Sequence, residues 1–254
     1  MALLREKLAD QGAFLFRWRS YFPLVLLVPA LAALPQSGAL EHVFGEQAEA
    51  AWDIFCVALA FVGLAVRIVT VGYAPSGTSG RNTTGQRADS LNTSGFYSIV
   101  RNPLYLGNII TFFAFILAFK IWWLSLFALP ITVMYYERII MAEESFLAGK
   151  FGNAYLNWAA QTPAYIPNFR TFKKPDLPFS LKTVLRREYH GFYLIVFALT
   201  FIEVLTDVVG DGENALEWLH DDPGWVTFFI GGTVVYVVIR LIRKTTGWLV
   251  VPGR

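Results

Sequence analysis

Apolar residues in this chain gather into long runs rather than into alternating strands or narrow helical stripes. Six runs stand out, at residues 21–40, 51–73, 104–119, 121–140, 189–208 and 225–242. About 20 helical residues cross the roughly 30 Å of hydrocarbon in a bilayer. The pattern therefore predicts about six transmembrane helices, the third of them short and the others long enough. Pro23, Pro29 and Pro35 predict kinks in the first run, and Pro130 does so in the fourth. Residues 1–20 mix Arg and Lys with apolar side chains and lack the compact apolar centre and small-residue cleavage site of a leader. They predict an amphipathic helix on a membrane surface. The fold class that follows is all-α, a polytopic membrane helix bundle. A polar cytoplasmic linker is expected over 171–188, and a two-helix membrane extension over 189–254.

Composition agrees. Hydrophobic residues make up 55% of the chain and charged residues 16%, and the mean hydropathy is +0.47, which excludes an ordinary soluble domain. The formal net charge of +2 implies no nucleic-acid partner. How the charge is distributed is more informative. Lys and Arg crowd the segment before the first run, the 74–103 loop, the stretch from Lys150 to Arg187, and the C-terminal segment from Arg240. The 41–50 and 207–223 loops carry acids, Glu41 to Glu49 and Asp207 to Asp222, and no Lys or Arg. By the positive-inside rule both termini and both long polar segments are cytoplasmic, with Lys120 the one base on the opposite side. Glu203, an acid inside the fifth run, is expected to face other helices or water.

Cys56 is the single cysteine, which excludes an internal disulfide and a multi-cysteine metal site. His42, His190 and His220 lack ligand spacing, so no metal is expected.

Two polar stretches point to chemistry. The first is Ser94 to Gly107, SGFYSIVRNPLYLG. Pro103 has no N–H and suits a first helical position, and it drives Asn102 out of the α region. A helix N-terminus is thereby presented beside the Arg101 guanidinium, which can fork onto an anion. The loop before it, 75–95, is rich in Gly, Ser, Thr and Asn. It reads either as a flexible linker or as backbone that approaches a ligand closely, with Arg81 and Arg87 nearby. Its two Asn-x-Ser/Thr patterns, at Asn82 and Asn92, fall on the cytoplasmic side and are discounted as glycosylation sites.

The second stretch closes the fourth run, YYERIIMAEESFLAGKFGNAYLNW, with Glu137, Arg138, Glu143 and Glu144. Acids at a helix C-terminus are disfavoured by the macrodipole, so if the helix ends nearby they need another reason to be there. Neighbouring helical residues point about 100° apart, so Glu143 and Glu144 serve separate tasks. Glu137 and Glu144 share a face that would suit a positively charged, partly buried ligand.

Taken in order, GFYSIVRNPLYLGN, an apolar hairpin and EESFLAGKFGNAYLNWAAQTPAYIP resemble a known family over roughly residues 52–168. It is that of the integral-membrane methyltransferases related to isoprenylcysteine carboxyl methyltransferase and phosphatidylethanolamine methyltransferase. The resemblance implies S-adenosylmethionine as cofactor, in a cytoplasm-facing pocket, and a membrane lipid or lipidated substrate whose tail enters between helices. It implies Asn102, Pro103, Tyr105, Gly107, Glu143 and Glu144 as cofactor residues, within a methyltransferase core over 21–170. Arg101 belongs to the same pocket, and Phe151, Gly152, Tyr155 and Trp158 to the helix that covers it. Asn102 stands where the family usually has His, which removes a side chain that titrates near neutrality. The two spans after residue 188 lie outside the motifs.

Methyl transfer from a sulfonium requires in-line approach, exclusion of water and a pocket complementary to a cation that becomes neutral. Glu143 or Glu144 is expected to bind the cofactor's amino or ribose groups, and backbone N–H groups from Asn102 to Tyr105 its carboxylate. Arg101 and Arg138 are the catalytic candidates, holding an anionic head-group (an isoprenylcysteine-type carboxylate or a lipid phosphate) that needs no general base. Three other readings remain open at this point. They are a phosphatidylethanolamine-type N-methyltransferase, an NADPH-dependent membrane reductase of sterol or polyprenyl double bonds, and a non-catalytic scaffold of the same shape.

Overall fold

The computed structural model describes residues 4–19, 21–75, 77–78, 88–212 and 214–254. In chain order its α-helices are α1 (Leu4–Trp18), α2 (Phe22–Ala33), α3 (Ala39–Phe44), α4 (Glu46–Tyr73) and α5 (Pro103–Ala118). Then follow α6 (Trp122–Phe151), α7 (Asn153–Gln161), α8 (Leu181–Val204), α9 (Ala215–Asp221) and α10 (Pro223–Thr245). Among the described residues the one β-type pairing is an isolated bridge between Gly95 and Lys173. The protein is an all-α membrane bundle.

Among the described residues four helices are long and apolar enough to cross a membrane: α4, α6, α8 with its π-helical continuation to Gly210, and α10. α5 is short, at 16 residues. The first apolar run differs from expectation. It folds as the 12 residues of α2, about 18 Å at 1.5 Å per residue, followed by a 3-10 turn over Leu34–Gln36. Pro29 inside α2 and Pro35 in the turn each remove a backbone donor, which accounts for the break.

α6 corrects a second expectation. Its 30 residues run unbroken through Pro130 to Phe151, so Glu143 and Glu144 lie about two turns inside the helix rather than at its end. The macrodipole is therefore not what sets their energetics.

α4 is the centre of the bundle and packs against both α5 and α8. The α4–α5 crossing is close because glycines meet there. A Cβ on Gly107 would lie 2.6 Å from Arg67 Cγ and 2.7 Å from the Gly63 carbonyl oxygen. Around the crossing Ala60, Leu64, Ala114, Leu124, Ile195 and Leu199 form one buried core. α1 packs on α6. Gly12 sits against the Arg138 carbonyl, where any Cβ would overlap, and Phe16, one turn on, joins Tyr135 and Ile139. α10 rests on α8, with Gly232 against Val196, and leaves Ile230, Val234, Val238 and Leu241 exposed.

At the end of the bundle away from Glu143, the Lys120 exception to the charge pattern finds its explanation. The side chain is 1% exposed and its Nζ lies 2.7 Å from Glu49, 3.2 Å from Asp53 and 3.4 Å from Glu203. The base on the acidic side is a buried clasp between α4 and α8, set in the turn from α5 to α6. Its φ of 60° is the one left-handed non-glycine value among the described residues.

Candidate active site between the two motifs

The segment entering α5 is held in place from outside. Residues 95–101 accept and donate hydrogen bonds along residues 163–173, which follow α7. Gly95 N–H donates to Lys173 O at 3.0 Å, Asn168 N–H to Ile99 O at 2.9 Å, and Arg101 N–H to Pro163 O at 2.9 Å. Ser98 adds two contacts, its carbonyl accepting from Thr171 Oγ1 and its Oγ from Lys173 N–H, both at 2.8 Å. Ile99 and Val100 are buried between these contacts. Asn102 takes φ −124° and ψ 56°, outside the α region, and Pro103 begins α5. Of the 75–95 loop, Arg81, Asn82 and Arg87 lie outside the described residues, and Asn92 Oδ1 accepts from Ser94 N–H at 3.2 Å.

The anion onto which Arg101 forks is Glu144. Its Nε and a terminal nitrogen donate to the two carboxylate oxygens at 2.9 and 3.3 Å, and the other terminal nitrogen donates to Ala159 O at 2.8 Å. Asn102 Nδ2 donates to the same Glu144 oxygen at 3.1 Å. Arg101 thus ties α5's entry to α6 and α7 at once.

Glu143 faces a different partner. Tyr105 Oη donates to its carboxylate at 2.6 Å. The Tyr105 ring lies 5.9 Å from that of Tyr136, and Tyr97 shares the field of Glu143. Tyr97 lies outside the spans; burial, then the Glu143 carboxylate, push its phenol well above the ordinary range. A half-buried carboxylate among tyrosine rings matches an onium cation, since a cation gains from both the negative charge and the ring faces.

Arg138 stays on its own helix, donating to Glu137 at 3.1 Å and to Met134 O at 3.2 Å. Tyr165, partly exposed, lies in the electrostatic field of both this group and the Arg101–Glu144 pair. Burial first, then Glu137 and Glu144, raise its phenol to about 12 against the opposing pull of Arg101 and Arg138. Pro103 and Gly107 serve the backbone: Pro103 opens α5, and Gly107 lies at the α4 crossing. Gly152, at φ 54°, turns the chain from Phe151 into α7, where Tyr155 packs edge-on to Trp158 at 5.5 Å. Between α7 and residues 170–173 opens a cleft of about 720 Å³, lined by Thr93, Asn157, Trp158, Gln161, Arg170 and Lys173 among others.

One cluster escaped the reading of the sequence. Arg67 of α4 pairs with Glu188 of α8 through two bonds of 2.8 and 3.0 Å and donates to Asn108 of α5 at 2.7 Å. Glu188 is 3% exposed. The signal was present, since Arg67 is a lone base in an apolar run and such a residue is costly unless paired. Its partner, 121 residues later, could not be read from spacing.

Fold and site together define an integral-membrane protein whose two motifs converge on a pair of glutamates at one end of a helical bundle. Residues 54–154 match the family model described as phospholipid methyltransferase. That family is the one of integral-membrane methyltransferases that includes the isoprenylcysteine and phospholipid enzymes. The match contains the first motif and the Glu137 to Glu144 part of the second, and stops short of Tyr155, Trp158, Tyr165, α8, α9 and α10. No curated protein and no solved structure gives a significant match to the chain.

Proposed function

We propose that the protein transfers a methyl group from S-adenosylmethionine to the anionic head-group of a membrane lipid or lipidated molecule, at the cytoplasmic end of the bundle. The observation that carries this is the division of labour between the glutamates. Glu144 is engaged by Arg101 and Asn102, whereas Glu143 is offered among tyrosines. When bound, the cofactor supplies a methyl carried on a sulfonium, whose positive charge is lost on transfer. Glu143, with Tyr97, Tyr105 and Tyr136 around it, suits the cationic part. Asn102 and the first turn of α5 after Pro103 suit its polar groups, with Gly107 setting how deeply α5 seats against α4. Arg101 acts here as a positioning residue, because its fork is filled by Glu144 and the Ala159 carbonyl. Arg138, beside Tyr165, is assigned to the acceptor's negative charge. An acceptor already ionised at neutral pH needs no base, which accords with Asn102 in place of a titrating side chain. The cytoplasmic orientation rests on the Lys and Arg distribution.

Purified protein in nanodiscs is to be incubated with methyl-labelled S-adenosylmethionine and a total membrane lipid extract. Label is expected in a lipid whose single-turnover rate is level from about pH 7 to 9, since carboxylates and phosphomonoesters are ionised there. A rate still rising about tenfold per pH unit over that range identifies an amine acceptor and replaces O-methylation with the phosphatidylethanolamine-type reaction. Absence of label in any lipid from protein that binds S-adenosylhomocysteine overturns the lipid assignment.

A further inference from the structure

Residues 165–174, which clamp the Arg101 segment, carry an outer face that no other part of the protein covers. Ile166 is 81% exposed, Phe169 71% and Phe172 55%. Arg170, Lys173 and Lys174 interleave with them and are exposed. Among the described residues none of these three bases has a carboxylate partner, and the nearby Asp176 accepts from Ser94 Oγ at 2.8 Å. In water, three large apolar side chains so exposed within seven residues are unfavourable, at about 25 cal/mol for each Å² left wet.

The position of this ridge relative to the bundle is fixed by its tethers. The Arg101 N–H bond to Pro163 and the Asn168 N–H bond to Ile99 hold it level with the point where α5 enters the apolar layer. Downstream, Ser180 N–H donates to Gly72 O at 2.9 Å, level with the point where α4 leaves that layer. The ridge therefore lies at the height of lipid head-groups, on the side that the Lys and Arg distribution assigns to the cytoplasm. Aromatic and aliphatic side chains interleaved with bases suit that interface, because the former enter the acyl boundary while the latter meet lipid phosphates.

We propose that residues 165–174 dock on the anionic surface of the cytoplasmic leaflet. Ile166, Phe169 and Phe172 insert, and Arg170, Lys173 and Lys174 face negatively charged head-groups. Docking holds the clamp on Arg101 at the level where a lipid acceptor would be anchored. The proposal concerns where the ridge lies and does not depend on which acceptor is methylated.

The test is a depth measurement. In a Cys56→Ser background, Phe169→Cys carries an environment-sensitive fluorophore, and the protein is placed in nanodiscs of phosphatidylcholine alone or mixed with phosphatidylglycerol. A second label at Ile131→Cys, exposed in the middle of α6, confirms insertion in the bilayer. Spin-labelled lipid is expected to quench the probe at 169, more strongly in the anionic mixture. Arg170→Gln, Lys173→Gln and Lys174→Gln together should lower the docking equilibrium constant by about fivefold per charge removed. A probe at 169 that stays water-like and unquenched in both mixtures, while the probe at 131 is quenched, overturns the proposal. So does quenching that ignores both lipid charge and the three substitutions. The readout is independent of methyl transfer, so its failure is distinct from failure of the enzymatic assignment.

Discussion

Arg101 and Glu144, 43 residues apart in the chain, meet through two N–H···O bonds of 2.9 and 3.3 Å. The pair is partly shielded, with side chains 20% and 18% exposed, and it joins the two motifs into one site. A double-mutant cycle with Arg101→Ala and Glu144→Gln should show a coupling of about 0.5–3 kcal/mol in unfolding free energy, because residues in one ion-paired network are not additive. Additive losses would mean that the two motifs are merely adjacent.

Tyr105→Phe removes only the hydroxyl that donates to Glu143 at 2.6 Å. A hydrogen bond to a charged group contributes about 1.5–3 kcal/mol, so S-adenosylhomocysteine affinity should fall by roughly 10- to 150-fold if that bond orients the carboxylate for the ligand. Calorimetry reads the change, and Tyr21→Phe, at an exposed tyrosine, is the control. Equal affinity in both variants would remove Tyr105 from the binding site.

Gly107→Ala should destabilise the protein by about 1–3 kcal/mol, because overpacking a close crossing forces backbone apart. The added carbon would sit 2.7 Å from the Gly63 carbonyl oxygen, and backbone cannot swing aside as a side chain can. A lowered unfolding temperature in detergent is the expected outcome. Weakened ligand binding with unchanged stability would instead place Gly107 at the cofactor.

Lys120→Met leaves Glu49, Asp53 and Glu203 facing one another without their cation. Removing one member of a buried charge group costs about 3–5 kcal/mol, so the variant should unfold at markedly lower temperature or fail to accumulate. Glu203→Gln on the Lys120→Met background should recover part of the loss. Burial opposes the ammonium charge, but Glu203, Asp53 and Glu49 outweigh it and hold the lysine above its ordinary value. The proton is therefore bound more tightly in the fold than in the unfolded chain. The stability it contributes is complete below about pH 10.5 and fades only as pH rises through the folded value.

Glu188→Gln tests whether α8 belongs to the working core. Glu188 is buried on Arg67, which in turn holds Asn108 beside Tyr136. Loss of the charge should destabilise the fold by about 3–5 kcal/mol, and deletion of residues 181–254 should be worse. A truncated chain that melts like the intact one would show α8 to be an appendage.

Much of the protein follows from local chemistry and was legible in residue order. Apolar runs about as long as a bilayer is thick must be helices, because only a helix satisfies its own backbone there. Pro103 must begin a helix and Asn102 must leave the α region, since the ring forbids the alternatives. The two motifs could be recognised because each is compact in sequence. What remained hidden were the relations between distant helices. Prolines marked the first run as irregular, but only packing showed α2 ending after 12 residues. The charge pattern singled out Lys120 as an exception, and only the fold brought three acids to it. Arg101 was legible as a base able to fork onto an anion, yet its anion came from the protein itself, on a helix that continues past Glu144. A buried charge must find a partner, but which partner depends on helix rotation and depth, and those are set by close contacts such as Gly63 against Gly107 and Gly12 against Arg138.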